Sequence, residues 1–245
     1  MAFWTDLNKT IRYAQRNGIR DTYYAAVERL RDKVGTSYSY EVPALGSLEE
    51  QRSQWEKRKR DGDSFPLISF LVPLYQPDLR FMREMLESVE RQTYGNWELI
   101  LADGGGTEAA ANLAASFQDP RIHYGKLEEN GGISRNTNAA ASMASGDYIA
   151  LLDYDDLLTE DAVFEVTHKI ERTQAEIIYS DEDKCDPTGR KFFEPNRKPD
   201  FNPDYFLSNN YICHLLVMKK ELFLALRLRP EYDGAQDYDL LLRAP

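Results

Sequence analysis

The apolar positions of this chain fall into two regimes. Over residues 3 to 34 they recur at helical spacing, with Trp4, Leu7, Ile11 and Ala14 on one stripe and Tyr23, Val27, Leu30 and Val34 on another. Asn17-Gly18 divides that stretch into two expected helices. Ser47-Leu-Glu-Glu50 has the form of a capping box and predicts a third, short helix ending in Lys57-Arg-Lys-Arg60. Asp61 to Ser64 reads as a linker. From Pro66 onward, short apolar runs alternate with helical patterns, as in a mainly parallel sheet covered on both faces. Strands are expected at Leu67–Val72, Trp97–Ala102, Arg121–Tyr124, Tyr148–Leu152, Glu176–Tyr179 and Tyr211–Val217. Helices are expected from Leu79, over 108–117 and 133–145, after a Thr159 cap, and from Ala235.

Composition narrows the class. With 245 residues, 42% of them apolar, the chain can bury a substantial core. No apolar run reaches membrane-span length, and the start lacks the regions of a secretion signal, so a cytoplasmic location is the default expectation. Cys185 and Cys213 lack zinc-site spacing and read as ordinary thiols. The net charge of −11 is uneven: residues 1–60 carry +4 and the remainder −15. So acidic a body is a poor nucleic-acid binder and would repel a free diphosphate unless a divalent cation intervened.

The candidate chemistry sits where the expected strands end. Tyr148-Ile-Ala-Leu-Leu runs directly into Asp153-Tyr-Asp155-Asp156, and hard carboxylate oxygens at that edge suit Mg²⁺ or Mn²⁺. The competing reading is a solvated turn that caps the next helix. Pro73 and Tyr75 follow the first strand, and Asp103 follows the second, where its carboxylate could accept from a pyrimidine imide or simply close a turn. Gly104-x-Gly106 also fits a loose dinucleotide fingerprint, but on the second strand-to-helix turn rather than the first. Asn130-Gly-Gly-Ile-Ser-Arg135 opens a helix with exposed N–H groups and a guanidinium, a pairing that favours phosphate. Asp181-Glu182-Asp183 lacks the glycine and glutamate of a calcium loop and is better placed to touch an acceptor. His214 is the histidine expected near the site, whereas His123 and His168 fall within structural elements. Asp237 opens the last helix as either an N-terminal cap or a general base.

Taken in order, Val72-Pro-Leu-Tyr75, Asp103-Gly, Asn130-Gly-Gly-Ile-Ser-Arg-Asn, Asp153-Tyr-Asp155-Asp156 and Gly234-Ala-Gln-Asp237 resemble family 2 glycosyltransferases. The likeness is greatest to bacterial enzymes that build O-antigen and capsular polysaccharides, and it covers about residues 66 to 245. It implies an α/β fold of GT-A type, Rossmann-like, with a mainly parallel open sheet and helices on both faces. A helical N-terminal extension, 1–60, precedes that domain, whose C-terminal part is expected to be missing at Pro245. The implied reaction is inverting transfer of a sugar from a UDP- or dTDP-linked donor to a hydroxyl of a glycan or lipid-linked glycan. Pro73, Tyr75, Asp103 and Arg135 are implied on the nucleotide, Asp153 on ribose or metal, Asp155 on Mn²⁺ or Mg²⁺, and Asp237 as base. Asp181, Glu182, Asp183 and His214 are expected on the acceptor side. Peripheral contact with the inner face of the cytoplasmic membrane is compatible with the +4 segment. Two rival readings are a sugar-phosphate nucleotidyltransferase, which would want a basic Gly-rich loop after the first strand, and a non-catalytic binding protein, which would have lost the acids.

Overall fold

The computed structural model describes residues 43–245. The helices expected over 3–34 lie outside the described residues. Helix α1 (Leu45–Asp61) starts two residues before Ser47, with Ala44 at its N-cap and no side-chain cap, so the Ser47–Glu50 box does not set its start. Gly62, in the left-handed conformation at φ 78°, ends it, as only a residue without Cβ does readily. Arg58 forms a two-pronged ion pair with Glu171, and Trp55 packs on Phe65 and Tyr94. Part of the basic run is thus spent on the neighbouring body of the protein.

The sheet contains β1 (Ile68–Leu74), β2 (Trp97–Asp103), β3 (Ile122–Lys126), β4 (Tyr148–Leu151), β5 (Ile177–Tyr179) and β8 (Leu216–Lys219), in the order β3-β2-β1-β4-β8-β5. The first four are parallel, and β8 runs antiparallel to both β4 and β5. A separate hairpin pairs β6 (Glu182–Cys185) with β7 (Phe192–Asn196).

Alternation along β1 divides the core. Phe70 and Val72 join Met82, Met85 and Leu86 of α2 (Leu79–Glu90) and Val163, Val166 and Ile170 of α5 (Ala162–Thr173) on one face. Leu71 joins Ala140 and Ala141 of α4 (Ile133–Met143), Phe223 of α7 (Lys220–Leu226) and Leu240 of α8 (Gln236–Leu242) on the other. Helix α3 (Glu108–Ser116) follows β2, capped by the Thr107 hydroxyl, which accepts from Ala110 N–H. All seven β2 residues are buried, as a strand covered on both faces requires.

Two expectations shift. Helix α5 begins at Ala162 with Asp161 at its N-cap, not at a Thr159 cap; the Thr159 carbonyl accepts from Gln92 and from Ala162 N–H in the turn before the helix. The run Tyr211–Val217 is strand only from Leu216. Tyr211 and Ile212 are buried instead in the second core, where Tyr211 rings pack with Phe206 of α6 (Pro203–Ser208). An apolar run specifies burial, and a helix face satisfies that demand as well as a sheet does.

Candidate active site

Four parallel strands end at one edge, and β8 begins there. Leu151 at the end of β4 pairs with Leu216 at the start of β8, so the antiparallel strand brings the residues before it, among them His214, to the same crevice. A cleft of about 230 Å³ opens at this edge, lined by Pro73, Thr137, Asp153, His214, Gln236 and Asp237 among others.

The acidic turn resolves differently from its sequence spacing. Asp156 N–H bonds to the Asp153 carbonyl at 3.2 Å, closing a four-residue turn that brings Asp156 back beside Asp153 and leaves Asp155 exposed. The His214 imidazole lies between the pair, with Nε2 3.8 Å from Asp153 Oδ2 and Nδ1 3.8 Å from Asp156 Oδ2. One ligand atom from each of Asp153, Asp156 and His214 falls within 4.8 Å of the others, so these three could hold a metal ion; the exposed Asp155 is not in that group. Burial pushes the Asp153 carboxyl up, His214 pulls it down, and Asp155 and Asp237 push it up further. Asp156 is pushed up to about 6, first by burial and then by Asp153, Asp155 and Glu182, against the opposing pull of His214. Two carboxylates held above their ordinary range are a site short of positive charge.

Asp237 lies in the first turn of α8. The N-cap is Ala235, and Asp237 instead accepts from Asn210 Nδ2 at 2.9 Å through Oδ2. Gly234, at φ 97°, permits the turn that delivers this helix. Asp239, two residues on, is buried and tied to Arg229 and Arg243, which hold its carboxyl below the usual range, Arg229 foremost. It anchors α8.

On the nucleotide side, Tyr75 is 53% exposed just beyond β1. Asp103 is fully buried: Oδ1 accepts from Gly105 and Gly106 N–H at 2.7 and 2.9 Å, and Oδ2 from the Tyr124 hydroxyl at 2.7 Å. Its carboxylate shapes the glycine loop. Asn130 Oδ1 accepts from Gly132 N–H and from Asn136 Nδ2, locking the loop before α4. Arg135 is exposed on that helix's first turn, its stem packed over Gly131. Asp233 already occupies the start of α4: its Oδ1 accepts from Ser134 N–H at 3.3 Å, and a Cβ on Gly132 would stand 2.6 Å from its Oδ2. The helix start expected to take phosphate thus holds an internal carboxylate.

Asp181 accepts from Lys198 N–H, and Glu182 from His214 N–H and Asn196, so both are engaged within the protein. Asp183 is half-buried on β6. Sequence reasoning missed Asn210, Lys198 and Asp233. These polar residues sit in irregular loops, and only their partners give them meaning.

Comparison with known proteins supplies the family. Residues 69–225 match the model described as Glycosyl transferase family 2. The chain is 43% identical over 204 residues to the uncharacterized protein y4gI of Sinorhizobium fredii, covering 80% of this chain and 22% of that protein. It is 35% identical over 185 residues to the O-antigen biosynthesis protein RfbC of Myxococcus xanthus, covering 73% of this chain and 14% of that one. The chain therefore spans less than a quarter of the length of either relative. The structure of S. aureus TarS 1-349 in complex with UDP superimposes with a TM-score of 0.61 at 18% identity, over 73% of this chain and 54% of that 1-349 chain, a likeness of fold. With the family model spanning well over half its residues, this chain belongs to glycosyl transferase family 2.

Proposed function

We propose that this protein transfers a sugar from a nucleoside diphosphate sugar to a hydroxyl of a glycan or lipid-linked glycan, with inversion at the anomeric carbon. The observation that carries the reading is the shared cleft: Asp237 stands in the same cavity as Asp153 and His214, at the carboxyl edge of β1 and β4. Asp237 is the base. Asn210 engages Oδ2, which leaves Oδ1 to take the proton from the acceptor hydroxyl as that hydroxyl attacks from the face opposite the diphosphate.

Asp153, Asp156 and His214 would hold the divalent cation. Two carboxylates with an imidazole suit Mn²⁺ better than Mg²⁺, which prefers an all-oxygen shell. When bound, the cation supplies charge that offsets the negative charge gathering on the departing diphosphate. The exposed Tyr75 ring and Pro73 would flank the base of a UDP- or dTDP-linked donor, on a loop whose shape Asp103 maintains. Arg135 would meet the phosphates from the first turn of α4. Asp183 and the loop before β8 would face the acceptor. Relatedness to a protein named for O-antigen biosynthesis supports a polysaccharide product, and such an acceptor would place the reaction at the inner face of the cytoplasmic membrane.

Calorimetric titration of UDP and dTDP, with Mn²⁺ and then with EDTA, tests the reading. Metal-dependent binding that disappears in Asp156→Ala and persists in Asp155→Ala is the expected result. Binding equally strong in EDTA would overturn the metal assignment, and no binding of either nucleotide would overturn the donor assignment.

A further inference from the structure

Lys198 is a charged residue with no solvent: only 1% of its side chain is exposed. It lies in the loop between β7 and α6. Its ammonium donates to the Ile212 carbonyl at 2.5 Å and to the His214 carbonyl, and stands 3.4 Å from Glu182 Oε2. The same Glu182 oxygen accepts from His214 N–H at 3.2 Å, while Glu182 Oε1 is fixed by Asn196 Nδ2 at 2.9 Å. Asp181 accepts from the Lys198 backbone N–H at 2.8 Å, pinning the root of the lysine. This ion pair, its lysine side chain buried and its glutamate 29% exposed, thereby grips both sides of His214: its N–H through the carboxylate and its carbonyl through the ammonium.

Such an arrangement is an expensive way to fasten a loop. Removing an ammonium from water is unfavourable, and well-packed apolar residues generally stabilise as much or more. Burial pushes the Lys198 ammonium toward deprotonation, and Glu182 opposes that. The gain must be sought in geometry. The backbone of residues 212–214 is fixed from two directions, and the imidazole it carries stands 3.8 Å from each of the two carboxylates.

We propose that Lys198 and Glu182 form a positioning clamp that fixes the His214 imidazole between Asp153 and Asp156. The consequence for metal binding rests on the reading of that cluster given above, whereas the placement of the ring does not. Both clamp residues act through His214, as outer-shell partners orient the ligands of metal centres.

The test uses the full chain and reads the ring directly. The protein has three histidines, His123, His168 and His214, and long-range ¹H–¹⁵N spectra of their imidazoles can be assigned by the loss of one set in His214→Ala. In Lys198→Met, and in Lys198→Met/Glu182→Gln, which avoids an unpaired buried carboxylate, the His214 signals are expected to shift or broaden. The His123 and His168 signals stay in place and report that the fold is intact. His214 signals that do not move in a folded variant overturn the clamp. Electron paramagnetic resonance of free Mn²⁺ in the presence of UDP supplies the second arm. Affinity is expected to fall about tenfold in Lys198→Met, by a similar factor in His214→Ala, and no further when the two are combined. Additive losses would mean that Lys198 acts on the metal independently of His214 and would overturn the proposal. Should the wild-type protein bind no Mn²⁺, the metal reading fails, and the imidazole spectra alone decide the clamp.

Discussion

Replacing Asp156 with Asn should make the metal-free protein more stable and the metal-loaded protein less so. The Asp156 carboxyl titrates at about 6 rather than at its ordinary 3.8, so its ionised form is disfavoured in the folded state. A rise of about 2 units corresponds to roughly 3 kcal/mol for a fully shielded group. The side chain is 41% exposed, and solvent screening reduces that to about 1 kcal/mol. The sign follows from linkage: an acid with a raised folded pKa favours the fold below its unfolded value, near pH 4, and loses that contribution as pH rises through about 6. In EDTA at pH 7.5, Asp156→Asn should therefore melt about 2–4 °C above wild type, and the difference should vanish near pH 4. Adding Mn²⁺ and UDP at about 100 times their dissociation constant should raise wild-type stability by about 2.7 kcal/mol and reverse the order. Differential scanning fluorimetry at the two pH values, with and without metal, reads all of this. A variant that melts below wild type in EDTA at pH 7.5 would refute the argument. So would an Asp155→Asn protein that loses the metal effect while Asp156→Asn keeps it.

Three further outcomes are expected. Asp237→Asn should lower kcat by about 10²–10⁴-fold while leaving the nucleotide dissociation constant unchanged, as steady-state kinetics beside calorimetry would establish; an equal loss of binding would remove Asp237 from the role of base. Glu98 is buried, which raises its carboxyl, but donors from Ser69, Ser145 and Gly146 outweigh burial and hold it below its ordinary 4.5. Its stabilisation is thus present above about pH 4.5 and lost as pH falls through the lower folded value, and Glu98→Ala should cost about 2–4 kcal/mol in urea titrations at pH 7 by stranding those donors. Gly146→Ala would place a Cβ 2.6 Å from the Leu67 carbonyl and 3.0 Å from Ser69 N, and the same titrations should show a loss of about 1–3 kcal/mol.

The legible part of this molecule is the part that repeats. Leu79, Met82, Met85, Leu86 and Val89 announced α2, and the short apolar runs before Asp103 and Asp153 announced strands buried on both faces, because periodicity and burial are properties of neighbouring residues. The sheet edge at which the expected site residues meet followed from strand direction alone. What the sequence did not disclose depends on partners far along the chain. Asp155 and Asp156 are equivalent on paper, and only the turn closed by Asp156 N–H onto Asp153 separates them. His214 looked like a strand residue because Tyr211 to Val217 are apolar, yet the first of these are buried against helices. Arg135 at a glycine-rich helix start pointed to phosphate, and nothing nearby in sequence revealed that Asp233, about a hundred residues later, accepts from the Ser134 N–H of that start. Lys198 carried no pattern at all.

The insertion of β8 between β4 and β5 has a consequence for how the protein comes into being on the ribosome. Strands β1 to β4 and the helices between them are complete by residue 151, and Asp153 follows within two residues. The edge beside β4 stays open until Leu216–Lys219 emerges and pairs with it. His214 takes its place with that strand, and Asp237 arrives later still. The emerging chain thus builds its scaffold first and its cleft last, and an unpaired β4 edge is exposed for the synthesis of roughly sixty-five residues, a few seconds at ordinary elongation rates. Over that interval, β4 joins β3 as an edge strand open to pairing with another nascent chain.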